Sequence, residues 1–258
     1  MKILIVLIRW KGGVGRVIES IKPLLEKAGN EVEVISREDD LKSYSLKDSF
    51  FKLRREVKKR DYDILYTQDW SCALPFLGFR NHFICFHGNE SNKLGRLIQN
   101  FIGKAMGKRL IVVGPKLKER FPKSNLIYNG VDFNKFRNLK KRRTKIGWVD
   151  KGTESITEED FLKIAKKYRL KPTIAENIQP EKMNEWYNSL KIFVSYPPES
   201  AGFNLCWLEA KASGVPEILG NENGVGINKI KKDWKKMSWE NHVNKLLGAF
   251  HSDEKKNT

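Results

Sequence analysis

Cysteine is scarce in this chain of 258 residues, which contains three copies, Cys72, Cys85 and Cys206, far apart in sequence. No CxxC pair occurs, and an odd number of cysteines cannot pair completely, so we exclude a zinc ribbon and a disulfide-stabilised secreted scaffold. Long hydrophobic runs are also missing. The apolar segment Ile3–Ile8 is far shorter than the roughly 20 residues of a membrane-spanning helix. We therefore expect a cytoplasmic protein that does not cross a membrane.

Acidic residues are outnumbered in this chain: 31 Asp and Glu against 49 Lys and Arg give a formal net charge of +18. The excess is concentrated between Glu90 and Lys145, where sixteen basic and three acidic residues leave +13. Such a field favours anionic partners, namely nucleotide phosphates, acidic lipid headgroups or nucleic acid. A solubilising basic surface explains the charge equally well, so charge alone does not decide between them.

Apolar runs alternate with helical periodicity along the chain, which predicts an α/β protein with parallel sheets. The predicted strands of a first domain are Lys2–Ile8, Glu31–Ser36, Asp63–Thr67, His82–Phe86 and Arg109–Gly114, with helices at Val14–Ala28 and Leu46–Lys59. The basic segment Asn138–Lys145 is interpreted as a linker or the rim of a cleft. A second alternation has strands at Lys145–Val149, Pro172–Ala175, Lys191–Tyr196 and Pro216–Leu219, with helices at Ile156–Tyr168, Glu181–Leu190 and Phe203–Ala212.

The pattern therefore predicts two facing Rossmann-like, doubly wound domains, at residues 1–140 and 141–228, followed by a helical tail at 229–258. The second domain is compact. Sheets of this kind bind ligands at the carboxyl ends of their strands. The glycine-rich segment Lys11–Arg16 follows the first predicted strand and opens a helix, where Gly12 and Gly13 would let backbone N–H groups approach a phosphate or a sugar. It lacks the GK[ST] of a P-loop, and a ligand-free tight turn remains the alternative.

Several segments together resemble one known family. They are GGVGRV after the first strand, YDILYTQDW at the third, the FHG at Phe86–Gly88, IYNGVDFNKF at Ile127–Phe136 and AGFNLCWLEAKASGVP at Ala201–Pro216. In this order they are similar to GT-B glycosyltransferases of the retaining family 4 type, over Met1 to about Gly226. The resemblance implies a retaining hexosyltransferase that uses a nucleotide sugar such as a UDP- or GDP-hexose. It also implies that the tail packs back on the N-terminal domain.

The resemblance assigns roles to particular residues. Lys151 matches the lysine that contacts the donor phosphates, and Glu209 matches a carboxylate that binds the nucleotide ribose. The other expected donor-binding residues are Gly12, Gly13, Gly202, Phe203, Asn204 and Leu205, the last three through backbone N–H groups that open a helix. His87 matches a histidine near the transferred sugar, and Asp69 and Arg16 are expected on the acceptor side. A core or surface role remains the alternative for each of them.

Two positions depart from the family pattern. Ala201 stands where the family has the first glutamate of its signature, and Glu199 is the nearby carboxylate that could replace it catalytically. Trp148 stands at the position of a family arginine. The resemblance implies that helix amides and Lys151, and not a metal ion, stabilise the leaving diphosphate, so we expect no metal and no cofactor.

Two other functions stay open at this point. One is a degenerate protein that binds nucleotide sugars or glycans without turnover, and the other is a basic nucleic-acid-binding protein, for which no RNP, KH or zinc-finger pattern speaks. The acceptor is expected to be a hydroxyl on a glycan, a lipid or a protein. The predicted helix within Asn92–Met106 is basic and amphipathic, with Leu94, Leu97, Ile98, Phe101, Ile102 and Ala105 on one face. It indicates either peripheral contact with the inner face of an anionic membrane or an ordinary core-facing helix.

Overall fold

The structure is a computed structural model that describes residues 1–149, 154–176 and 178–254. The chain divides into two compact units. The N-terminal unit comprises Met1–Asn129 together with the chain from Trp239 onwards, and the C-terminal unit comprises Gly130–Ser238. The division after Asn129 lies earlier than the boundary at residue 140 that the sequence predicts, and the returning tail begins later than residue 229. Backbone pairing explains both differences, because the N–H of Val131 donates to the carbonyl of Met237 over 3.0 Å within the C-terminal unit.

The N-terminal unit alternates strands and helices. Its elements up to Asn129 are β1 (Lys2–Leu7), α1 (Gly13–Lys27), β2 (Glu31–Ser36), α2 (Leu46–Lys58), β3 (Ile64–Gln68), α3 (Asp69–Ala73), a 3₁₀ turn (Leu74–Phe76), β4 (His82–Phe86), α4 (Lys93–Met106), a second 3₁₀ turn (Gly107–Arg109), β5 (Leu110–Val112), α5 (Pro115–Arg120) and β6 (Asn125–Leu126). The pattern misses the short elements α3, α5 and β6, which are too brief to show a period.

Among the described residues the strands of this unit form one parallel sheet in the order β2-β1-β3-β4-β5-β6. Helices cover both faces, so the central strands β3 and β4 are buried throughout. Leu4 and Val6 of β1 pack with Leu53 and Val57 of α2 on one face. The loops after β1, β3 and β4 lie at the carboxyl edge of this sheet, and they contain the candidate site residues of the N-terminal unit.

The C-terminal unit repeats the arrangement on a smaller scale. Its elements are β7 (Lys145–Trp148), α6 (Glu158–Tyr168), β8 (Lys171–Ile174), α7 (Met183–Ser189), β9 (Leu190–Val194), α8 (Leu205–Ala212), β10 (Glu217–Leu219), α9 (Ile227–Asp233) and a 3₁₀ turn (Trp234–Lys236). In the described part of this unit the strands form a parallel sheet in the order β10-β9-β7-β8. Thr157 accepts from the N–H of Asp160, whose carboxylate accepts from the N–H of Thr157, and this capping box starts α6.

The last helix, α10 (Trp239–Glu254), belongs to the N-terminal unit, as the resemblance implies. The ring of Phe250 lies 4.8 Å from that of Phe83 and 5.6 Å from that of Tyr66, which places it against β3 and β4. His242 is buried and its Nδ1 donates to the carbonyl of Tyr128 over 2.9 Å. Burial lowers the pKa of His242 to about 4. The tail therefore completes the core of the first unit.

The basic segment Asn138–Lys145 is tied to the C-terminal unit and is not a free linker. The guanidinium of Arg143 donates to the carbonyl of Ser213 over 2.7 Å, to that of Tyr187 over 3.1 Å and to Oδ1 of Asn188 over 3.1 Å. These hydrogen bonds hold the segment against the C-terminal unit, because the guanidinium donors of Arg143 match the carbonyl and amide oxygens around it. In the described residues no helix is long and apolar enough to cross a membrane.

Candidate functional site

The loop between β1 and α1 has the backbone that its glycines predict. Gly12 has a φ of 110°, a conformation that favours glycine, and it precedes α1 without a side-chain cap. Gly15 is required for a different reason, because a Cβ there would overlap the carbonyl oxygen of Trp10. Gly12, Gly13 and Arg16 are exposed. The first turn of α1 thus offers backbone N–H groups to an anionic or hydroxyl-bearing ligand, and the roles of these residues stay predictions.

The carboxyl ends of β3 and β4 bring Asp69 and His87 together. The backbone N–H of His87 lies 3.5 Å from Oδ1 of Asp69, and Nε2 of His87 lies 2.7 Å from Oε1 of Gln68. Because an amide oxygen only accepts, Nε2 carries the proton and Nδ1 keeps its lone pair. Asp69 has a φ of 63°, and such left-handed backbone is often found at functional sites. Two residues that the resemblance assigns to the site are therefore neighbours.

The environment shifts both residues toward their neutral forms. Burial raises the pKa of Asp69 to about 6, the charge of Glu90 adds to this, and the N–H of His87 opposes it. Burial lowers the pKa of His87 to about 4. At neutral pH the pair is therefore a carboxylate with raised proton affinity beside an uncharged imidazole. A carboxylate tuned in this way is suited to accept a proton from a hydroxyl group.

Asp69 and His87 line a cavity of about 280 Å³ within the N-terminal unit, together with Ile8, Trp70, Ser71, Gly88, Asn89, Glu90 and Gln99. The indole N–H of Trp70 donates to Oε2 of Glu90 over 3.0 Å. A concave site with one apolar wall and a few polar groups is typical of small-molecule binding. Its volume lies at the lower end of ligand sites and suits a group no larger than a sugar ring.

The cavity wall after β4 is positioned by side chains of α4 and α5. Gln99 is buried, donates to the carbonyl of Gly88 over 2.8 Å and accepts from the N–H of Glu90 over 3.2 Å. Arg120 donates to Asn89 over 2.8 Å and to Gln99 over 3.0 Å. Sequence reasoning misses these residues because no local pattern joins positions separated by up to 31 residues.

In the C-terminal unit, α8 begins two residues later than the sequence predicts. Asn204 has an extended backbone and is the N-cap, so Phe203 and Asn204 lie before the helix and Leu205 is its first residue. The reason is a buried chain of hydrogen bonds. Nδ2 of Asn204 donates to Ser195 over 2.9 Å, and Ser195 donates to Glu154 over 3.1 Å. Glu154 also accepts from the N–H of Tyr196, two residues after β9.

This chain fixes the start of α8 at the carboxyl end of β9. Asn204 is buried, and its Oδ1 has no hydrogen-bond partner among the residues described. The N–H groups of Leu205 and Cys206 open the helix and carry its partial positive charge. Of the predicted amide donors, Leu205 is therefore in the helical first turn. Neither Glu154 nor Ser195 was anticipated, because a glutamate after a loop gives no signal of its buried contacts.

Glu209 is buried on the second turn of α8, and its Oε2 accepts from the hydroxyl of Tyr187 over 3.1 Å. The structure therefore adds a tyrosine that orients this carboxylate, while its contact with a ribose stays a prediction. A carboxylate with a fixed direction can accept two hydroxyl donors at defined positions.

The loop that contains Glu199 is hydrogen-bonded at its N-terminal end to the loop after β10. The side chains of Asn221 and Asn223 both donate to the carbonyl of Pro197 over 3.0 Å. Glu199 is exposed, Ala201 is half-buried, and Gly202 after it is buried. That Glu199 takes the role of the missing glutamate stays a prediction. Its exposed position in a turn is compatible with that role.

Two positions that the resemblance singles out, Lys151 and Trp148, remain. Lys151 lies outside the described residues. Trp148 is buried in the core, with its ring 5.7 Å from that of Phe161 of α6. The arginine position of the family pattern is therefore occupied here by a packing residue that points into the unit. Among the described side chains no cluster of three or more His, Cys, Asp or Glu could hold a metal ion.

These features define a class of protein: two parallel-sheet α/β units with polar residues gathered at the carboxyl ends of their strands. No protein-family model matches the chain, and no curated protein is significantly similar to it in sequence. Solved structures do match it. The glycosyltransferase AviGT4, involved in avilamycin A biosynthesis, superimposes with a TM-score of 0.66 at 11% identity, over 97% of this chain and 97% of that one.

Two further structures cover the chain almost completely. Sucrose-phosphate synthase from Thermosynechococcus elongatus has a TM-score of 0.62 at 13% identity, over 98% of this chain and 94% of that one. Anabaena Alr3699/HepE in complex with UDP-glucose has a TM-score of 0.55 at 14% identity, over 99% of both chains. The chain therefore has the GT-B glycosyltransferase fold, as its motifs imply, and at these identities the likeness establishes the fold alone.

Proposed function

We propose that this protein is a glycosyltransferase that moves a sugar from a nucleotide-sugar donor to a hydroxyl acceptor. The observation that supports it most is the match over nearly the whole length of both chains to glycosyltransferase structures. One matched structure contains UDP-glucose, which supports a nucleoside diphosphate donor. The motif residues lie at the carboxyl ends of strands in each unit, where such folds bind ligands.

On the donor side, the leaving group is a nucleoside diphosphate that gains negative charge as the glycosidic bond breaks. The N–H groups that open α8, at Leu205 and Cys206, supply a positive potential for that charge. Lys151 adds a cation, and Glu209, oriented by Tyr187, accepts from ribose hydroxyls. This mechanism needs no metal ion.

On the acceptor side, the cavity beside Asp69 and His87 receives the hydroxyl group. As the acceptor oxygen bonds to the anomeric carbon, its proton moves to the carboxylate of Asp69 or to the departing diphosphate, and the bond between the anomeric carbon and the diphosphate oxygen breaks. His87 keeps its proton on Nε2 through Gln68, which leaves Nδ1 as an acceptor for a sugar hydroxyl. Attack on the face from which the diphosphate leaves gives retention of configuration.

Binding without turnover is the second candidate, and Ala201 is the observation that favours it. An alanine methyl cannot accept the hydrogen bond that the family glutamate provides. In the catalytic proposal Glu199 takes its place. We expect Glu199→Gln to lower turnover at least tenfold, equivalent to about 1.4 kcal/mol of barrier, with nucleotide affinity little changed.

The test measures binding and turnover separately. UDP-, GDP- and ADP-glucose are screened by thermal shift, and product formation is followed by mass spectrometry with and without EDTA. A donor at 100 times its dissociation constant adds about 2.7 kcal/mol of stability. Lys151→Ala should weaken binding of the matching nucleoside diphosphate, whereas Lys166→Ala, an exposed lysine of α6, should not.

Stabilisation together with EDTA-resistant turnover supports the catalytic proposal. Stabilisation without hydrolysis or transfer, but with turnover restored by Ala201→Glu, shows a binding protein. No stabilisation by any nucleotide sugar, combined with salt-dependent binding to mixed oligonucleotides, would leave nucleic-acid binding as the better explanation.

A further inference from the structure

Helix α4 has two apolar faces, and the sequence pattern merges them into one. Ile102 and Met106 face inward and pack with Phe86 and Leu110, which removes them from solvent. On its outer side, Leu94, Leu97 and Phe101 are 68%, 65% and 66% exposed. The prediction that Leu94 through Ala105 share a single face is therefore wrong: the core takes one part of it, and the other part faces solvent.

The exposed residues form a stripe and are not scattered. Their spacing of three and then four residues keeps them on one side of α4 over about 10 Å. At 100° per residue, the stripe lies about 150° from the mean direction of the buried residues of α4, so it points away from the sheet. Single exposed apolar residues need no explanation, but a contiguous apolar stripe commonly marks an interaction surface.

Helix α2 has exposed aromatic side chains on the same face of the sheet. Phe51 is 64% exposed on the side of α2 opposite Leu53 and Val57, and Tyr44, just before the helix, is 70% exposed. Helix α3 contacts both α2 and α4, so the three helices form one layer on the same face of the sheet. We call the exposed sides of α2 and α4 the outer helix surface.

Basic residues surround the apolar side chains of the outer helix surface. Lys93, Arg96 and Lys104 are exposed on α4, and no acidic residue occurs in the sequence from Ser91 to Lys118. On α2, Lys47 and Lys58 are exposed, and its two acids, Asp48 and Glu56, are paired with Lys52 and with Lys59 and Arg60. Apolar side chains with basic neighbours and few acids match the boundary between acyl chains and anionic headgroups. A second copy of this surface is a poor partner, because the like charges would repel.

We propose that the outer helix surface docks on an anionic lipid bilayer. Leu94, Leu97 and Phe101 enter the boundary between headgroups and acyl chains, and Lys93 and Lys104 contact lipid phosphates. The arrangement lays α4 parallel to the membrane plane. The proposal does not depend on the proposed enzymatic activity, since it concerns residues outside the cavity and outside α8.

The experiment is flotation of the purified full chain with two kinds of vesicle, pure phosphatidylcholine and a mixture with about 30 mol% phosphatidylglycerol. We expect wild-type protein to float with the anionic vesicles only, and Leu97→Asn/Phe101→Asn to bind at least tenfold more weakly, equivalent to about 1.4 kcal/mol. Leu162→Asn, a 43% exposed leucine of α6 in the C-terminal unit, is the matched control and should bind as wild type.

A charge pair completes the design. Lys93→Gln/Lys104→Gln should weaken flotation and flatten its salt dependence, whereas Lys166→Gln/Lys167→Gln on α6 should not. All substituted side chains are exposed, and thermal unfolding checks that each variant is folded. Wild-type protein that stays unbound with anionic vesicles would overturn the proposal. So would a dimer by light scattering that Leu97→Asn/Phe101→Asn dissociates, since the stripe would then be a contact between copies.

Discussion

Replacing Asp69 with asparagine tests two things separately: how much the burial of this carboxylate lowers the free energy of unfolding, and whether the carboxylate is needed for activity. The substitution keeps shape and the acceptor oxygen for the N–H of His87, and it removes the charge. Asparagine also tolerates the φ of 63° that Asp69 adopts. We therefore expect the variant to be more stable than the wild type at pH 8 and less active, because functional carboxylates are often held at an energetic cost.

The magnitude follows from the pKa of Asp69, which burial raises from 3.8 to about 6. A shift of roughly two units corresponds to about 3 kcal/mol at 1.36 kcal/mol per unit. Relaxation and water in the half-open cavity reduce this upper value, and we expect about 1–2 kcal/mol. Since the folded-state pKa is raised, the protonated form stabilises the fold below about pH 4, and this contribution is lost as pH rises through 6. The stabilisation by Asp69→Asn should thus be near zero at pH 4 and complete at pH 8.

The assay is urea unfolding of both proteins at pH 4 and pH 8, followed by tryptophan fluorescence, with glycosyl transfer measured in parallel. Asp61→Asn, an 84% exposed aspartate paired with Lys2, is the control and should change stability little at either pH. A variant that is destabilised at pH 8, or equally affected at both pH values, would refute the reasoning. Unchanged transfer would remove Asp69 from proton transfer, although its burial cost would stand.

The remaining predictions concern packing. Gly15→Ala should lower the free energy of unfolding by about 1–3 kcal/mol, measured by urea unfolding, because the new methyl overlaps the carbonyl of Trp10. A fully stable variant would show that the loop moves freely. Trp148→Arg, which restores the family residue, should cost about 3–5 kcal/mol or prevent folding, since an unpaired charge would replace a ring packed on Phe161. Recovery of a stable protein with tighter nucleotide binding would show that this position faces the ligand.

The long elements could be predicted because their signals are local. β2 and β4 have the predicted bounds, α1 differs from its prediction by one residue at each end, and α2 differs by one residue at its C-terminal end. Their apolar periodicity and the glycines that follow them report on the chain's nearest neighbours. The start of α8 could not be predicted in this way, because the side chain of Asn204 donates to Ser195, the residue after β9. The same holds for α4, whose apolar residues divide between core and solvent.

The candidate site divides along similar lines. Gly12, Gly13, Asp69 and His87 follow strands, so their place at a sheet edge could be read from the pattern. Their partners could not. Gln68 sets the tautomer of His87 from the neighbouring strand, and the hydrogen bonds of the loop after β4 come from helices packed beside it.

By itself the sequence determined the alternation of strands and helices, the parallel sheets, the position of the motifs after the strands and the excess of positive charge, because each depends on residue type and spacing along the chain. Tertiary structure alone decided which charges are used internally and which face solvent. Arg143 belongs to a basic run, but its guanidinium donates to main-chain carbonyls of the C-terminal unit. Trp148 is buried in the core of the same unit. Tertiary structure also decided that burial raises the pKa of Asp69 to about 6. Desolvation depends on all the atoms around a group, and these come from parts of the chain that no local pattern connects.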